Sequence, residues 1–240
     1  MKLQPTPARV IARLDVAPKS ILYHARREAF ADRLFPSSYP NWEIGNAVLR
    51  LRNHPDRRRL SLEAGAIVFE ADVTGETWRP FLRKHVVNVF TDYLKQVVPS
   101  SKPMRFGCRT FFVLEGHSFD DLFPRVHKAT LDRQGVDWWR VKGWSPRDSA
   151  INLYYGLPEE GFNLSLGVLS PQQAGQFMNP LEFKGAENCL DISEGALLID
   201  LDRYTRLFKA RDWLAAAIRE QDKMLLVAQS LVQRLAGGEG

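Results

Sequence analysis

Cysteine is scarce: the 240 residues hold two, Cys108 and Cys189, which alone cannot make a cysteine-based zinc site. Both fall inside predicted strands, where a reduced thiol behaves as a small buried hydrophobe. No stretch approaches the roughly 18 apolar residues of a membrane span, and Met1-Lys2-Leu3-Gln4-Pro5 opens no signal-peptide core. A soluble, cytoplasmic chain without a membrane partner is expected. Of the five histidines, His24, His54, His85, His117 and His127, no two have the spacing of His-Glu-x-x-His. Gly237-Gly238 follows a predicted helix instead of opening one, the reverse of a phosphate-binding loop. These gaps remove the usual catalytic, metal and nucleotide signatures. A non-enzyme that needs no cofactor is the expectation.

What is present is ordinary globular material. Hydrophobic residues at 45% and charged residues at 25% exclude disorder, collagen and coiled coil. The net charge of +5 suits a polyanion partner but lies within the common range.

The most informative feature is an internal echo. Glu63-Ala64-Gly65-Ala66-Ile67-Val68-Phe69-Glu70-Ala71-Asp72 and Ser193-Glu194-Gly195-Ala196-Leu197-Leu198-Ile199-Asp200-Leu201-Asp202 share a Gly-Ala, three bulky apolar residues, an acid and a closing Asp. Each runs into an amphipathic helix, so a unit of strand followed by helix is repeated. Alternation over Ala8 to Val16 predicts a strand, and apolar residues at three and four from Ser20 to Pro36 predict a helix. Strands are predicted over Trp42 to Leu51 and from Leu60 to Val73, and a helix from Thr77 to Val98. A second series follows: strand Met104 to Glu115, a helix opened by Ser118-Phe119-Asp120-Asp121, and a hairpin of Ala150 to Leu157 with Phe162 to Leu169. Strand Cys189 to Asp202 and a long helix from about Ala210 complete it. Arg133 to Asp148 and Ser170 to Gly185 read as insertions.

The expected fold is α+β and internally duplicated. Residues 1–103 form one half and 104–240 the other, and both share one long curved antiparallel sheet with helices packed on one face. The saddle of TATA-binding-type proteins is the natural comparison, and a tandem ferredoxin-like pair is the alternative.

Three groups of residues are candidate sites. Trp138, Trp139, Arg140, Lys142, Trp144 and Arg147 put three of six tryptophans within seven residues. That composition suits a protein interface, base stacking, or a plug folded onto the sheet. The basic run Arg57, Arg58 and Arg59, flanked by Arg50 and Arg52, suits phosphate contacts or a solvated hairpin tip. Asp200 and Asp202 lie two apart on a strand, so both carboxylates share a face, a geometry open to Mg²⁺. The structural alternative is that Asp202, like Asp72, receives turn amides before a helix.

The segments Arg105-Phe106-Gly107-Cys108-Arg109 and Leu197-Leu198-Ile199-Asp200-Leu201-Asp202-Arg203-Tyr204, with the long C-terminal helix, resemble a sporadically distributed family of bacterial proteins of similar length and unassigned function. Where that family's middle segment tends to carry an Asn, this chain has Phe112-Val113. The resemblance implies a cytosolic accessory protein of mobile or defence-type gene neighbourhoods, and no reaction. The leading expectation is a binding protein that recognises a protein partner; the alternative is an RNA or single-stranded nucleic-acid binder.

Overall fold

The computed structural model describes residues 5–35, 37–73, 81–131, 150–178, 192–208 and 212–237. Alternation of Val10, Ala12, Leu14 and Val16 with Arg9, Ile11, Arg13 and Asp15 produces the first central strand, β1 (Thr6–Val16). Every residue of the apolar set is buried. Helix α1 (Ser20–Leu34) follows, then four strands in an up-and-down meander: β2 (Asn41–Ile44), β3 (Val48–Asn53), β4 (Arg58–Glu63) and β5 (Ala66–Asp72). A π-helical stretch (Arg83–Val87) leads into α2 (Asn88–Gln96). The second series is β6 (Pro103–Leu114), α3 (Phe119–Leu131), β7 (Ala150–Gly156), β8 (Glu160–Leu169), α4 (Pro171–Met178), β9 (Ala196–Thr205) and α5 (Trp213–Gly237).

The nine strands of the described residues form one antiparallel sheet in the order β2-β3-β4-β5-β1-β6-β9-β8-β7. The two opening strands, β1 and β6, pair at its centre, and the two Gly-Ala strands, β5 and β9, flank them. Ala66 and Ala196 therefore begin equivalent strands. Register puts both on the same sheet face, and both are buried. The duplication expected from the echo is thus present in the topology. Tandem ferredoxin-like units do not form, because β2 to β5 continue without a crossover helix.

Two strands predicted as single runs are each divided. Gly45 donates its N–H to the Val48 carbonyl at 2.8 Å, turning the chain between β2 and β3. Ala64-Gly65 turns it between β4 and β5, where Glu63 pairs with Ala66. The last strand starts later than the expected Cys189. Gly195 precedes it at φ +118°, and a Cβ there would stand 2.7 Å from the Leu169 carbonyl oxygen, so only glycine fits the turn without strain. Cys189 and the Thr77 cap lie outside the described residues. The expected capping at Ser118 is present, with its Oγ accepting from the Asp121 N–H at 3.2 Å.

Helices α1, α2, α3 and α5 cover one face of the sheet, contributing Tyr23 and Phe30, Phe90 and Tyr93, Leu122 and Val126, and Leu214 and Ile218 to its cores. The hydroxyls of Tyr23 and Tyr93 donate to consecutive carbonyls, Leu62 and Glu63, each at 2.5 Å, fastening two helices to the end of β4. Short α4 differs: with Phe177 it lies against the opposite face, over Arg9 and Phe111. Cys108 is buried in β6, and burial pushes its thiol up to about 12, which leaves it inert at neutral pH.

A buried histidine lies between the helices and the sheet. His85 stacks on Phe69 at 5.9 Å, and Arg58 Nη1 lies 2.9 Å from its Nε2, donating to a neutral ring. Burial, then the charges of Arg58 and Lys84, push its pKa down to about 4. Below about pH 6.5 the unfolded chain binds a proton that the folded one refuses, so this histidine makes stability fall as pH drops from about 6.5 to 4. In urea titrations at pH 7 and pH 5, His85→Gln is expected to flatten that loss. An unchanged slope would show that His85 is not its source.

Candidate binding face

Pairing register assigns every strand residue to the helix-covered face or to the open one. On the open face stand seven arginines, Arg9, Arg13, Arg50, Arg52, Arg59, Arg105 and Arg109. Seven carboxylates share it: Asp15, Glu43, Glu63, Glu70, Asp72, Asp200 and Asp202. Each of these arginines meets a carboxylate. Glu43 lies 3.8 Å from Arg50 and 3.2 Å from Arg52, Arg59 pairs with Glu70, Arg13 sits 2.6 Å from Asp15, and Arg105 is 3.8 Å from Asp15. The face is charge-dense and balanced.

The two halves pair their charges differently: Arg9 bonds Asp72 directly opposite it, whereas Arg109 stands opposite Asp202, the counterpart of Asp72, and reaches diagonally to Asp200. In the first half Arg9, on the central strand β1, gives its Nε to Asp72 of the flanking strand β5 at 2.8 Å. In the second half Arg109, on the central strand β6, grips Asp200 of the flanking strand β9: Nε at 2.9 Å from Oδ1 and Nη2 at 2.5 Å from Oδ2. The hydrogen bond to Asp200 raises the Arg109 pKa further. The two arginines also differ in exposure. Arg9 is 4% exposed, because its Nη1 donates to the Phe177 carbonyl at 3.1 Å and the Phe177 ring lies 5.2 Å from its guanidinium carbon. The Arg109 side chain is 47% exposed.

Beside Arg109 the sheet forms a cleft of about 350 Å³, lined by Arg109, Asn152, Tyr154, Asn163, Ser165, Asp200 and Asp202 with Leu153 and Leu164. Its floor is a cross-strand row, Arg109 opposite Asp202, Asp202 opposite Asn163, Asn163 opposite Tyr154. Ser165 donates to Asn152 Oδ1 at 2.5 Å, and the Tyr154 and Tyr204 hydroxyls share a 2.9 Å hydrogen bond. Burial pushes the Asp202 carboxyl up, Arg105 and Arg109 pull it down, and Asp200 raises it. A second, more apolar cavity of about 930 Å³ lies on the helix-covered side between β8 and the first turns of α5, lined by residues including Tyr155, Phe162, Trp213 and Met224.

The sequence-predicted residues are distributed as follows. Trp138, Trp139, Arg140, Lys142, Trp144 and Arg147 lie outside the described residues. Arg50, Arg52 and Arg59 stand on the open face, but the basic run does not act as one patch. Arg57, at φ 49°, turns its Nε to Asp72 at 2.5 Å. Arg58 points to the helix-covered side, where it meets Asp56 and His85. Alternation in β4 explains the split, since neighbours on a strand face opposite ways. Asp200 and Asp202 share the open face, as their spacing predicts. Asp200, however, is engaged by Arg109, and among the described residues no three acidic, histidine or cysteine side chains gather for a metal. Asp72 receives two guanidiniums, and residues 74–80, where the expected turn amides would lie, are outside the described residues. Arg9 and Arg109 were missed as a pair; Arg109 stood in a segment singled out for resemblance, and nothing local marks its partner.

Among the described residues no helix is long and apolar enough to cross a membrane. No protein-family model matches the chain, and no curated protein does. Among solved structures it is similar to Methanococcus jannaschii TBP, at 12% identity over 92% of this chain and 96% of that one, with a TM-score of 0.32.

Proposed function

We propose that this chain is a non-catalytic binding protein that presents its open sheet face to a protein partner. The observation that carries the reading is the near balance of that face: its strands carry seven guanidiniums and seven carboxylates, with Arg57 of the β3–β4 turn joining Asp72, and several of these groups are a third to a half exposed. A polyanion calls for a surplus of cations, whereas alternating charge suits the mixed surface of another protein and sets its register. Trp138, Trp139 and Trp144, with Arg140, Lys142 and Arg147, are proposed as further anchors, since Trp and Arg dominate interface energetics. A bacterial defence-type setting belongs to the same proposal.

A partner captured from the native host and purified is the test. Arg50→Glu combined with Arg109→Glu is expected to weaken its binding at least about tenfold in calorimetry, as removing interfacial charge pairs does. Lys84→Glu on the helical side should leave it unchanged. Full affinity of the open-face variant would sink the reading.

A nucleic-acid reading draws on a different surface. On α1, the π-helical stretch, α2 and the adjoining loops, Lys19, Arg26, Arg33, Arg83, Lys84, Lys95 and Lys102 are exposed against exposed Glu28, Asp32 and Asp92. RNA or single-stranded DNA that binds with a steep salt dependence, lost when Arg26 and Lys95 are reversed to Glu, would favour this second reading over the first.

A further inference from the structure

The two edges of the sheet are guarded unequally. At one end β2 has four residues, and its Glu43 is shared by Arg50 and Arg52. A short, charged edge is a usual guard against further pairing, as are proline and bulges. At the other end β7 has seven residues, six of them exposed, and the sequence from Ser149 to Pro158 holds no charge. Its register with β8 runs from Ala150 to Gly156 without a bulge. β7 carries none of these guards.

Hydrogen-bond alternation fixes which backbone groups this edge offers. Leu157 and Glu160 exchange both amide bonds, at 2.7 and 3.3 Å. Antiparallel pairs alternate, so Tyr155, Leu153 and Ile151 also bond β8, while Ala150, Asn152, Tyr154 and Gly156 direct N–H and carbonyl outward. Side chains on the open face lean away from the edge. Asn152 accepts from Ser165 of β8 at 2.5 Å, and the Tyr154 hydroxyl reaches Tyr204 of β9 at 2.9 Å. Gly156 permits that reach, because a Cβ there would stand 2.5 Å from the Tyr154 hydroxyl. On the helix side Ile151 packs on the core, whereas Leu153 and Tyr155, opposite Leu164 and Phe162, are exposed.

We infer that β7 pairs antiparallel with β7 of a second copy of this chain, about a twofold axis that passes through the sheet at Leu153. In that register Asn152 meets the partner's Tyr154 and Ala150 meets the partner's Gly156. Each of these pairs is outward-facing on both strands, so all four outward residues of each copy gain their amide bonds. Leu153 meets the partner's Leu153, and Ile151 meets the partner's Tyr155. An axis normal to the sheet keeps the helix-covered sides of both copies together, so the exposed apolar row of one strand continues into that of the other. With no charge on the strand, nothing repels its own copy, and nothing on it selects a charged partner. A foreign strand could use the same amides. What favours the chain's own copy is that a single register satisfies the whole strand at once and sets Leu153 against itself.

The pairing is independent of the open-face reading, since an edge contact leaves the open-face arginines uncovered. Sedimentation of the full chain should show a monomer–dimer equilibrium with Kd on the order of 10 μM, weak because one strand buries less than a standard interface. Leu153→Lys sets two ammonium groups face to face across the axis and should weaken the dimer at least about tenfold. Ile44→Lys, on the guarded edge β2, should leave it unchanged. Crosslinking tests the register itself, in a chain carrying Cys189→Ser. Under diamide, Leu153→Cys should form a disulfide with its own copy, because a non-hydrogen-bonded pair holds its α-carbons about 4.5 Å apart. Ile151→Cys should not, since its two copies would stand about 14 Å apart. An unchanged thermal transition checks the fold of each variant. A chain that stays monomeric, a dimer indifferent to Leu153→Lys or lost with Ile44→Lys, or equal crosslinking at both positions would overturn the inference.

Discussion

Replacing Asp72 by Ala should remove about 3–5 kcal/mol of folding stability, the usual cost of breaking a buried ion pair from one side. The carboxylate is 1% exposed and serves two guanidiniums, Arg9 through Oδ1 at 2.8 Å and Arg57 through Oδ2 at 2.5 Å. Without it, Arg9 beneath Phe177 and Arg57 in the β3–β4 turn lose their shared counter-charge, and the side-chain entropy spent in ordering them is no longer offset. Arg57 also holds a left-handed backbone, φ 49°, that the bridge to Asp72 helps maintain. Urea unfolding would read the loss directly, with a fall in Tm on the order of 10 °C for a chain of this size. Asp72→Asn should lose less, because one acceptor oxygen remains. A change below about 1 kcal/mol would mean that Arg9 escapes to water when its partner is removed, and that α4 does not fasten it.

A larger effect is expected from truncation before Asp212, which removes α5. This helix touches both main cores. Leu214, Ala217 and Ile218 pack with the β1–β5 side, and Ala228 and Val232 with α3, β8 and β9. Trp213 stands edge-on to Phe106 at 6.1 Å and to Phe208 at 4.7 Å, closing the seam near the central strand β6. Burial of the leucine, isoleucine and valine side chains, each worth about 1.5–3 kcal/mol, together with the newly bared sheet beneath them, sums to roughly 5–10 kcal/mol. That equals the whole stability of an ordinary domain. The truncated chain should be insoluble, or soluble only without a cooperative thermal transition. A shortened chain that melts cooperatively near the full-length temperature would show that the two cores hold without their common helix.

Both expectations depend on contacts of very different visibility in the primary structure. The long C-terminal helix was readable: of the apolar stripe Leu214, Ile218, Gln221, Leu225, Ala228, Leu231, Val232 and Leu235 at helical spacing, Leu214, Ile218, Ala228 and Val232 are buried, and so is Ala217 outside it. The duplicated Gly-Ala segments were readable too, and the sheet gives them equivalent places, β5 and β9, flanking the central pair β1 and β6. Hairpin ends were less so. Gly45 and Gly65 each reverse the chain inside a run whose apolar content continues across the turn, and hydrophobic pattern alone does not register a reversal.

The candidate site shows the sharper limit. Arg9 and Asp72 are 63 residues apart, Arg109 and Asp200 are 91 apart, and Phe177 reaches Arg9 across 168. Local spacing could say that Asp200 and Asp202 share a face, but not that an arginine would take one and leave the other to a cleft. It could mark Arg57, Arg58 and Arg59 as basic, while alternation along β4 sends Arg58 under the helices and Arg59 to the open side.

Residue order was enough to specify an α+β chain made of two related units, because strand and helix periodicities and a repeated turn are properties of neighbours. Folding settled which charges cancel, that Arg9 lies under α4 and that Arg109 reaches Asp200 instead of the Asp202 opposite it. Those outcomes arise from cross-strand register and from an insertion packing back onto a distant strand, and neither leaves a mark on the short stretch of chain around the residues concerned.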